Sequence, residues 1–453
     1  MEIIYPGCSA VSVLHNPNIR SIKYKPSQYN FVYIFNHEYY VYNTFTRVFA
    51  KLSEEEHSLL SMDLVTLSNG QISDVIKTLI SIRLLVQEDE DETNSYMEFY
   101  SIYSSMKKAQ AKPYVNSYTV LPTTACNARC FYCFEADFTP ISMNDSISNS
   151  VADYIINNRD EKKPVSISWF GGEPLCNIRA IDTISNRLAD AGIEYSSRIV
   201  SNGFLFNQEL VEKAKNIWHT KRVQITLDGM EEEHNKRKNY KTQSTNPFLQ
   251  TISNIHLLLD HQIGVSVRLN FDHANYDSIC ALIDFMSEEF NGNPLLHMYP
   301  AVLFEECGTW DANRGETENL ELTNMLYHLR DVLQERGFFH PKSLHREFKM
   351  QYCGANNRAH LTINPDGSFN ACQNCVACTY GSIFDGITNR ALFDKWMQNT
   401  RLREKCIDCK FLPDCTSFDQ CPTVKSNCRE NYEDLLPRQI KKSILLWKKE
   451  SDK

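Results

Sequence analysis

Residues 123–134 read TTACNARCFYCF and place Cys126, Cys130 and Cys133 in a CxxxCxxC array, with Tyr132 directly before the last thiol. Three closely spaced thiolates can hold a cubane iron–sulfur cluster and leave its fourth iron without a protein ligand. A small molecule can then bind that open iron and accept an electron. The array alone leaves two alternatives open, a zinc loop and three unrelated core cysteines.

Predicted strands and helices alternate on both sides of this loop. The strands are predicted at residues 117–121, 165–170, 196–200, 222–227, 265–270 and 295–303, with helices near 148–157, 180–191, 208–217, 249–261 and 276–290. Such a βα repeat predicts an α/β fold with a parallel sheet or a partial barrel. Polar and glycine-rich segments recur where the predicted strands end, which is where these folds place their active sites.

Two of these strand ends carry candidate ligand-binding residues. Gly171 and Gly172 allow the backbone to approach a ligand closely, Glu173 offers an acceptor for an ammonium group, and Pro174 fixes the turn. Ser201 and Asn202 end the next strand and can bind hydroxyl groups. An ordinary turn is the alternative for both segments.

The following strand end adds Thr226 and, shortly after it, His234 and Arg237. Taken with the cysteine loop, the strand-end residues resemble the radical S-adenosylmethionine (SAM) enzymes over about residues 118–303. In that family the open iron takes the amino and carboxylate groups of SAM, and reduction yields a 5′-deoxyadenosyl radical. The resemblance implies a partial (β/α)6 TIM-like barrel.

The resemblance also assigns roles to individual residues. Cys126, Cys130 and Cys133 become ligands of a [4Fe–4S] cluster, and Tyr132 lies against the adenine. The Gly171-Gly172-Glu173-Pro174 turn holds the methionine amine. Further SAM contacts are implied for four residues: Ser201, Asn202, Thr226 and Arg237. No catalytic residue is assigned beyond these cofactor contacts.

Nine of the sixteen cysteines lie between Cys353 and Cys428. In a reducing cytosol such a cluster indicates metal ligation rather than disulfides. The spacing resembles the SPASM extension of radical SAM enzymes, which carries two auxiliary [4Fe–4S] clusters. By position, one cluster takes Cys406, Cys409, Cys415 and Cys428, and the other takes Cys353, Cys372 and Cys421.

Two features depart from that pattern. Five residues separate Cys415 from Cys421, where the family usually has three, and Cys375 and Cys378 form an additional CxxC pair. Either additional cysteine can complete the second cluster, or that cluster can keep an open iron for a substrate thiolate. Zinc is the alternative for this region. Cys307 follows the last predicted strand and is a candidate for approaching the site.

The first part of the chain has a different pattern. Two predicted strands around a turn at residues 36–38 precede two short helices, the first of which begins with a capping box at Ser53 and Glu56. This order predicts a winged-helix-like module, followed by a polar linker through Pro113 that can be partly helical. We predict three parts: a peptide-recognition module and linker at 1–112, a radical SAM core at 113–335, and a cysteine-rich iron–sulfur domain at 336–453.

Composition restricts the partners. The chain has 453 residues, 42% of them hydrophobic, and a net charge of −9, which argues against broad binding to nucleic acid. No apolar run approaches the roughly 18–20 residues that cross a bilayer, and the first residues do not resemble a signal peptide. We therefore expect a cytoplasmic protein without membrane or nucleic-acid partners.

The front module resembles the PqqD-like element with which peptide-natural-product maturases bind the leader of a precursor peptide by strand addition. The prediction is a radical SAM maturase, of the sactipeptide or ranthipeptide type, that forms thioether crosslinks from cysteine sulfur to carbon. It would need an external electron donor such as flavodoxin or ferredoxin. Other crosslinks, epimerisation, an anaerobic sulfatase (formylglycine) maturase and a non-catalytic iron–sulfur or zinc protein remain alternatives.

Overall fold

The computed structural model describes residues 1–8, 23–67, 72–110, 114–135, 139–241, 245–290, 292–303, 316–339, 344, 354–373, 375, 378–397, 409–414 and 432–451. Within these residues, no helix combines the length and the apolar character that crossing a membrane requires.

Two small antiparallel sheets form the first part of the chain. Its strands are β1 (Glu2–Pro6), β2 (Lys23–Pro26), β3 (Asn30–Phe35), β4 (Glu38–Asn43), β5 (Val48–Leu52), β6 (Val65–Thr66) and β7 (Leu85–Gln87). One sheet has the order β1-β5-β4-β3 and the other has the order β6-β2-β7. The helices described here are α1 (Glu54–Leu60), α2 (Asp74–Ser81) and α3 (Glu92–Gln110).

Local sequence explains these elements. Asn36 and His37 both have positive φ angles, of 51° and 61°, and so form the tight two-residue turn that joins β3 to β4. Ser53 and Glu56 form the predicted capping box of α1. The predicted polar, partly helical linker is largely the helix α3. Its Tyr96 and Phe99 side chains pack into an aromatic cluster, which anchors a helix of weak amphipathic pattern.

Six parallel strands form the centre of the protein. They are β8 (Ser117–Thr123), β9 (Val165–Gly171), β10 (Tyr195–Ser201), β11 (Thr220–Leu227), β12 (Gly264–Phe271) and β13 (Leu296–Val302). Their helices are α4 (Asp145–Asn158), α5 (Ile178–Asp190), α6 (Gln208–Asn216), α7 (Glu231–Lys238), α8 (Pro247–Asp260) and α9 (Tyr276–Phe290). The strands lie in the order β13-β12-β11-β10-β9-β8, which confirms the predicted α/β fold with a partial TIM-like barrel.

The C-terminal part continues the same sheet. After α10 (Glu316–Glu335), β14 (His360–Ile363) pairs in parallel with β8. The short strands β15 (Ser368–Asn370), β16 (Thr379–Ser382) and β17 (Gly386–Ile387) then add to it in antiparallel fashion. Helices α11 (Arg390–Met397) and α12 (Tyr432–Ser451) follow. The predicted boundary near residue 335 therefore does not coincide with an interruption of the sheet.

Side chains along the central strands point alternately to the two faces of the sheet. Ile167, Ile199, Val223 and Leu269 belong to a fully buried apolar core that also contains helix residues. Because successive strand residues point to opposite faces, their neighbours face the inside of the partial barrel. The inner face carries mostly polar side chains, and its carboxyl edge adjoins the cysteine loop.

The first and last parts of the chain share buried structure. Tyr40, Tyr42 and Phe49 of the first sheet pack with Ile440 and Ile444 of α12. A buried ion pair also joins Arg47 to Asp414, and the Arg47 guanidinium donates to the carbonyl oxygen of Pro413 at 2.8 Å. The front module is thus an integral part of the fold.

Candidate functional site

The cysteine loop leaves the carboxyl end of β8 and is held by the end of α7. The backbone N–H of Arg129 donates to the carbonyl oxygens of Lys238 and Asn239, at 3.0 and 3.1 Å. The N–H of Lys241 donates to the carbonyl oxygen of Asn127 at 2.9 Å. Because these bonds satisfy the backbone of an irregular segment, the loop keeps a defined position over the edge of the sheet.

Cys126, Cys130 and Cys133 are all half-buried on this loop. The N–H of Ala128 donates to the Cys126 sulfur at 3.4 Å, and the Asn202 amide lies 3.9 Å from the same sulfur. In the described part of the chain, no three His, Cys, Asp or Glu side chains form a group compact enough to hold a metal ion. The donor chemistry nevertheless fits an iron–sulfur cluster, since three neighbouring thiols and amide donors to sulfur are what such a cluster requires.

Gly171 and Gly172 lie against the backbone at the start of the cysteine loop, whereas the sequence predicted that they would approach a ligand. Gly171 has a φ of 125°, and a Cβ atom there would lie 2.2 Å from the carbonyl oxygen of Thr123. A Cβ atom on Gly172 would lie 2.4 Å from the carbonyl oxygen of Thr124. The glycines therefore permit close approach to the backbone that begins the cysteine loop, and a direct ligand contact is not needed to explain them.

Glu173 is completely buried at the junction of β9 and β10. Its carboxylate accepts hydrogen bonds from the Ser201 hydroxyl at 3.0 and 3.1 Å and from the Asn202 N–H at 2.8 Å. The N–H of Leu175 adds a bond of 3.2 Å. Burial raises the pKa of Glu173 to about 7, although these hydrogen bonds oppose the rise. Glu173 and Ser201 thus join two strand ends beside the loop, and Pro174 begins the 3₁₀ turn that follows.

Asn202 connects the same junction to the cysteine loop. Its side-chain amide donates to the Asn127 side-chain oxygen at 2.7 Å and also approaches the Cys126 sulfur. The structure therefore brings four predicted residues, Cys126, Glu173, Ser201 and Asn202, into one polar cluster. Thr226 is half-buried on the inner face of β11, in register with Arg268.

Tyr132 belongs to a network that the sequence did not reveal. Its hydroxyl donates to Asp228 at 2.5 Å and accepts from Lys238 at 2.9 Å, while the Asn270 amide lies 3.3 Å away. Asp228 and Lys238 are both buried and form an ion pair of 3.5 Å. Although burial disfavours its charge, nearby Asp228 and Tyr132 hold the pKa of Lys238 well above the ordinary value.

Two atoms of this network have no hydrogen-bond partner within the described residues: Asp228 Oδ1 and Asn270 Oδ1. Both are buried acceptors beside the ring that the sequence placed against a ligand. A buried acceptor without a donor is costly unless a ligand or water supplies one. A lysine in a helix and an aspartate at a strand end are both common in proteins. In the sequence, only the location of Asp228 beside Gly229 indicated that Asp228 could accept a hydrogen bond from a ligand.

Arg237 has protein partners for the donors that were expected to meet SAM. Its guanidinium binds Asp272 through two bonds of 2.9 Å and Glu233 at 2.5 Å. It also lies 5.4 Å from the ring centre of Phe131 in the cysteine loop. These contacts indicate that Arg237 supports the loop. His234 is buried, and burial holds its pKa well below the ordinary value, so a neutral ring accepts the Asp228 N–H at 3.4 Å.

The cysteine-rich end is only partly described. Cys353, Cys406, Cys415, Cys421 and Cys428 lie outside the described residues, as does Cys307. Cys375 and Cys378 lie next to each other and form a disulfide in this structure. Cys372 is half-buried beside this pair, and Cys409 is half-buried among aromatic residues of the front module. The two auxiliary clusters therefore stay predictions.

Comparison with known proteins identifies the central part. Residues 120–286 match the family model of the Radical SAM superfamily. This part of the chain is a radical SAM domain. The match confirms the prediction of a radical SAM enzyme, and with it the expectation that SAM and a [4Fe–4S] cluster are the cofactors of the core.

Two curated relatives with different activities are similar to parts of this chain that include the radical SAM domain. The radical SAM cyclopropyl synthase TigE of Paramaledivibacter caminithermalis is 21% identical over 391 residues, which cover 78% of this chain and 77% of that protein. The GTP 3′,8-cyclase of Clostridium perfringens is 28% identical over 170 residues, which cover 37% of this chain and 50% of the cyclase.

Solved structures share the fold at low sequence identity. The structure of anSMEcpe with bound AdoMet and Cp18Cys peptide has a TM-score of 0.55 at 16% identity and covers 73% of this chain and 99% of its own. Streptococcus suis SuiB bound to precursor peptide SuiA has a TM-score of 0.50 at 15% identity and covers 87% of this chain and 95% of its own. The SuiB match therefore extends well beyond the central domain.

Proposed function

We propose that this radical SAM enzyme modifies a ribosomally made precursor peptide, and that it forms thioether crosslinks from cysteine sulfur to carbon. The observation that carries the proposal is a strand edge on the front module, suited to binding an extended peptide and fixed to the C-terminal part of the chain by buried contacts. The peptide-bound structures of anSMEcpe and SuiB, which share this fold, support a peptide substrate.

In this proposal Cys126, Cys130 and Cys133 would hold a [4Fe–4S] cluster, which when bound would supply the electron for cleavage of SAM into methionine and a 5′-deoxyadenosyl radical. Glu173 and the backbone of its turn bind the methionine amine, for which the Ser201 hydroxyl has to release one carboxylate oxygen. Tyr132 lies against the adenine. Asp228 Oδ1 and Asn270 Oδ1, which have no donor among the described residues, accept hydrogen bonds from the adenosine part of SAM.

The auxiliary clusters complete the proposal. Cys406, Cys409, Cys415 and Cys428 hold one cluster, whereas Cys353, Cys372 and Cys421 hold the other. After reduction of their disulfide, Cys375 or Cys378 can complete the second cluster. The buried Arg47–Asp414 ion pair fixes the segment that follows Cys409 and would thereby position Cys409 as a ligand. An external flavodoxin or ferredoxin supplies the electrons.

The strand β3 is the leader-binding edge. It ends the sheet order β1-β5-β4-β3, and the Thr44 N–H donates to the Tyr29 carbonyl oxygen at 2.9 Å. Because hydrogen-bonded pairs alternate along an antiparallel ladder, the backbone groups of Val32 and Ile34 point away from β4. Their side chains are 36% and 59% exposed. An extended leader can therefore gain backbone hydrogen bonds and apolar contacts there.

Proline at position 32 tests this edge. We expect Val32→Pro to weaken binding of the leader-containing precursor by about tenfold, because it removes an outward N–H and leaves the bonds to β4 intact. Fluorescence anisotropy with a labelled precursor from a neighbouring short reading frame measures the affinity. Val32→Thr keeps the N–H and is the control. Equal affinity of Val32→Pro and the wild type would remove β3 from the proposal. Deleting residues 1–112 is a poorer test, because the deletion also removes the aromatic partners of α12.

Mass spectrometry tests the chemistry. Reconstituted enzyme is incubated anaerobically with SAM, reductant and the same cysteine-containing precursor. We expect each crosslink to remove two hydrogens and to protect one cysteine from alkylation by iodoacetamide. Loss of hydrogen with every thiol still reactive would indicate carbon–carbon or carbon–oxygen crosslinking. An unchanged mass would indicate epimerisation, and exchange of sulfur for oxygen together with the loss of two hydrogens would indicate formylglycine formation.

A further inference from the structure

The strand β3 is an edge without the usual protection. Its residues, Asn30–Phe35, include no charged side chain and no proline, and its pairing with β4 has no bulge. Proteins commonly protect an exposed edge strand with one of these devices, because an open edge pairs with other chains. Among the described residues, no strand lies on the other side of β3. This edge is therefore open to a partner strand.

Two lysines from the C-terminal part of the chain lie near the two ends of β3. Lys410 Nζ lies 5.4 Å from the ring centre of Phe31 and 4.9 Å from that of Phe411. Lys448 Nζ lies 5.9 Å from the ring centre of Phe35. Because Phe31 and Phe35 are four residues apart in a strand, about 13 Å separates the two positions.

Both lysines lie on one face of the sheet. Phe31 and Phe35 pack in the same cluster of buried residues as α12. Because side chains alternate along a strand, Val32 and Ile34 point to the opposite face, where they are 36% and 59% exposed. The open edge thus has ammonium groups on one face and exposed apolar side chains on the other.

Positive charge exceeds negative charge on the face with the lysines. Glu38, in the turn after β3, accepts hydrogen bonds from both Lys448 and Lys51. These bonds lower the pKa of Glu38 to about 2, so the carboxylate is charged at neutral pH. In the part of the chain that the structure describes, Lys410 forms no ion pair and contacts only aromatic rings. One carboxylate therefore serves two of these three ammonium groups, and the third has none.

We propose that β3 binds an acidic segment of the leader, in which two carboxylates lie four residues apart and apolar side chains lie between them. This assignment rests on the proposed peptide-modifying function and names a leader feature that the function alone does not specify. A strand added beside β3 places its residues i and i+4 next to Phe31 and Phe35, and so near the two lysines. Its residues i+1 and i+3 then lie next to Val32 and Ile34. The spacing is the same in both strand directions.

Fluorescence anisotropy with four labelled synthetic peptides tests this pattern. Three have the sequence Gly-Ser-X-Val-Thr-Ile-X-Ser-Gly-NH2, with Glu, Gln or Lys at both X positions. The fourth, Gly-Ser-Val-Glu-Thr-Glu-Ile-Ser-Gly-NH2, has the composition of the Glu peptide but moves both carboxylates to the apolar face. At low salt we expect the Glu peptide to bind about fivefold or more tightly than the other three. The preference should disappear at about 1 M salt, where the screening length is about 3 Å.

Substitutions attribute the preference to the two lysines. Lys410→Gln combined with Lys448→Gln is expected to reduce it to within about twofold, while Lys51 still pairs with the turn carboxylate. Lys77→Gln combined with Lys395→Gln removes two exposed lysines of α2 and α11 and is the matched control. Circular dichroism melting and iron analysis check that each variant folds and keeps its clusters. Equal binding of the Glu and Gln peptides, no binding of any peptide, or a preference that survives the double substitution at 410 and 448 would overturn the proposal.

The precursor separates this proposal from the proposed function. If Val32→Pro weakens binding of the precursor and the double substitution at 410 and 448 does not, the acidic pattern is overturned while the peptide-modifying function stands. If the double substitution removes the preference for the Glu peptide but mass spectrometry finds the precursor unmodified by the wild type, the binding site for an acidic strand stands and the peptide-modifying function is contradicted.

Discussion

Alanine at Cys126, Cys130 and Cys133 is expected to abolish the release of 5′-deoxyadenosine from SAM. The three thiols share one loop, and Asn202 links Cys126 to the Glu173–Ser201 junction by side-chain contact. Without these ligands the cluster that delivers the electron cannot bind. Chromatography of anaerobic reactions with SAM and dithionite measures the product.

Iron analysis accompanies this experiment. The triple variant should lose about four iron atoms per chain, the content of one [4Fe–4S] cluster. Cys280→Ala is the matched control, because Cys280 is a half-buried cysteine of α9 outside the cysteine loop, and it should keep both iron and activity. Continued 5′-deoxyadenosine release by the triple variant, or zinc in place of iron in the wild type, would contradict the assignment.

Glutamine at position 173 is expected to weaken SAM binding by about 10- to 150-fold, the equivalent of about 1.5–3 kcal/mol for a hydrogen bond to a charged group. The Glu173 carboxylate is the fully buried acceptor at the edge of the cysteine loop. The variant keeps the size of the side chain but presents an N–H group where Ser201 and Asn202 now donate. Equilibrium dialysis with radiolabelled SAM measures the affinity, and unchanged affinity would remove Glu173 from the SAM site.

The same residue predicts a pH dependence. Burial raises the pKa of Glu173 to about 7, so the carboxylate is fully charged only above that pH. Because an ammonium group requires the charged form, SAM affinity of the wild type should fall about tenfold per pH unit below 7. Glu173→Gln should show no such fall. Burial also raises the pKa of Glu135 to about 7, and Glu135→Gln should therefore retain the wild-type dependence.

Local patterns predicted much of the fold. The hairpin at Asn36 and His37, the capping box at Ser53 and the six parallel strands were all readable, because each depends on residues close together in the chain. The helical part of the linker was anticipated but its packing was not, since α3 is anchored by contacts of Tyr96 and Phe99 with Tyr29 and Phe45, more than fifty residues earlier. Helical pattern alone did not reveal that packing.

The candidate site was also predictable only where it depends on residues close together in the chain. The order of Cys126, Cys130, Cys133 and the Gly171-Gly172-Glu173-Pro174 turn determined the chemistry, because the three thiols lie within one short loop and the turn ends a predicted strand. Ser201 and Asn202 were expected to contact SAM, but only the structure showed that they first join Glu173 to the loop.

By itself, the sequence determined which cofactor chemistry this protein can perform and at which edge of its sheet. The tertiary structure decided how the site is supported and what it faces, because those contacts join residues far apart in the chain. Tyr132 meets Asp228 and Lys238 only after β11 and α7 have packed beside the loop. Asn202 reaches the Cys126 sulfur only because the end of β10 lies beside the loop, and no spacing in the chain records that adjacency.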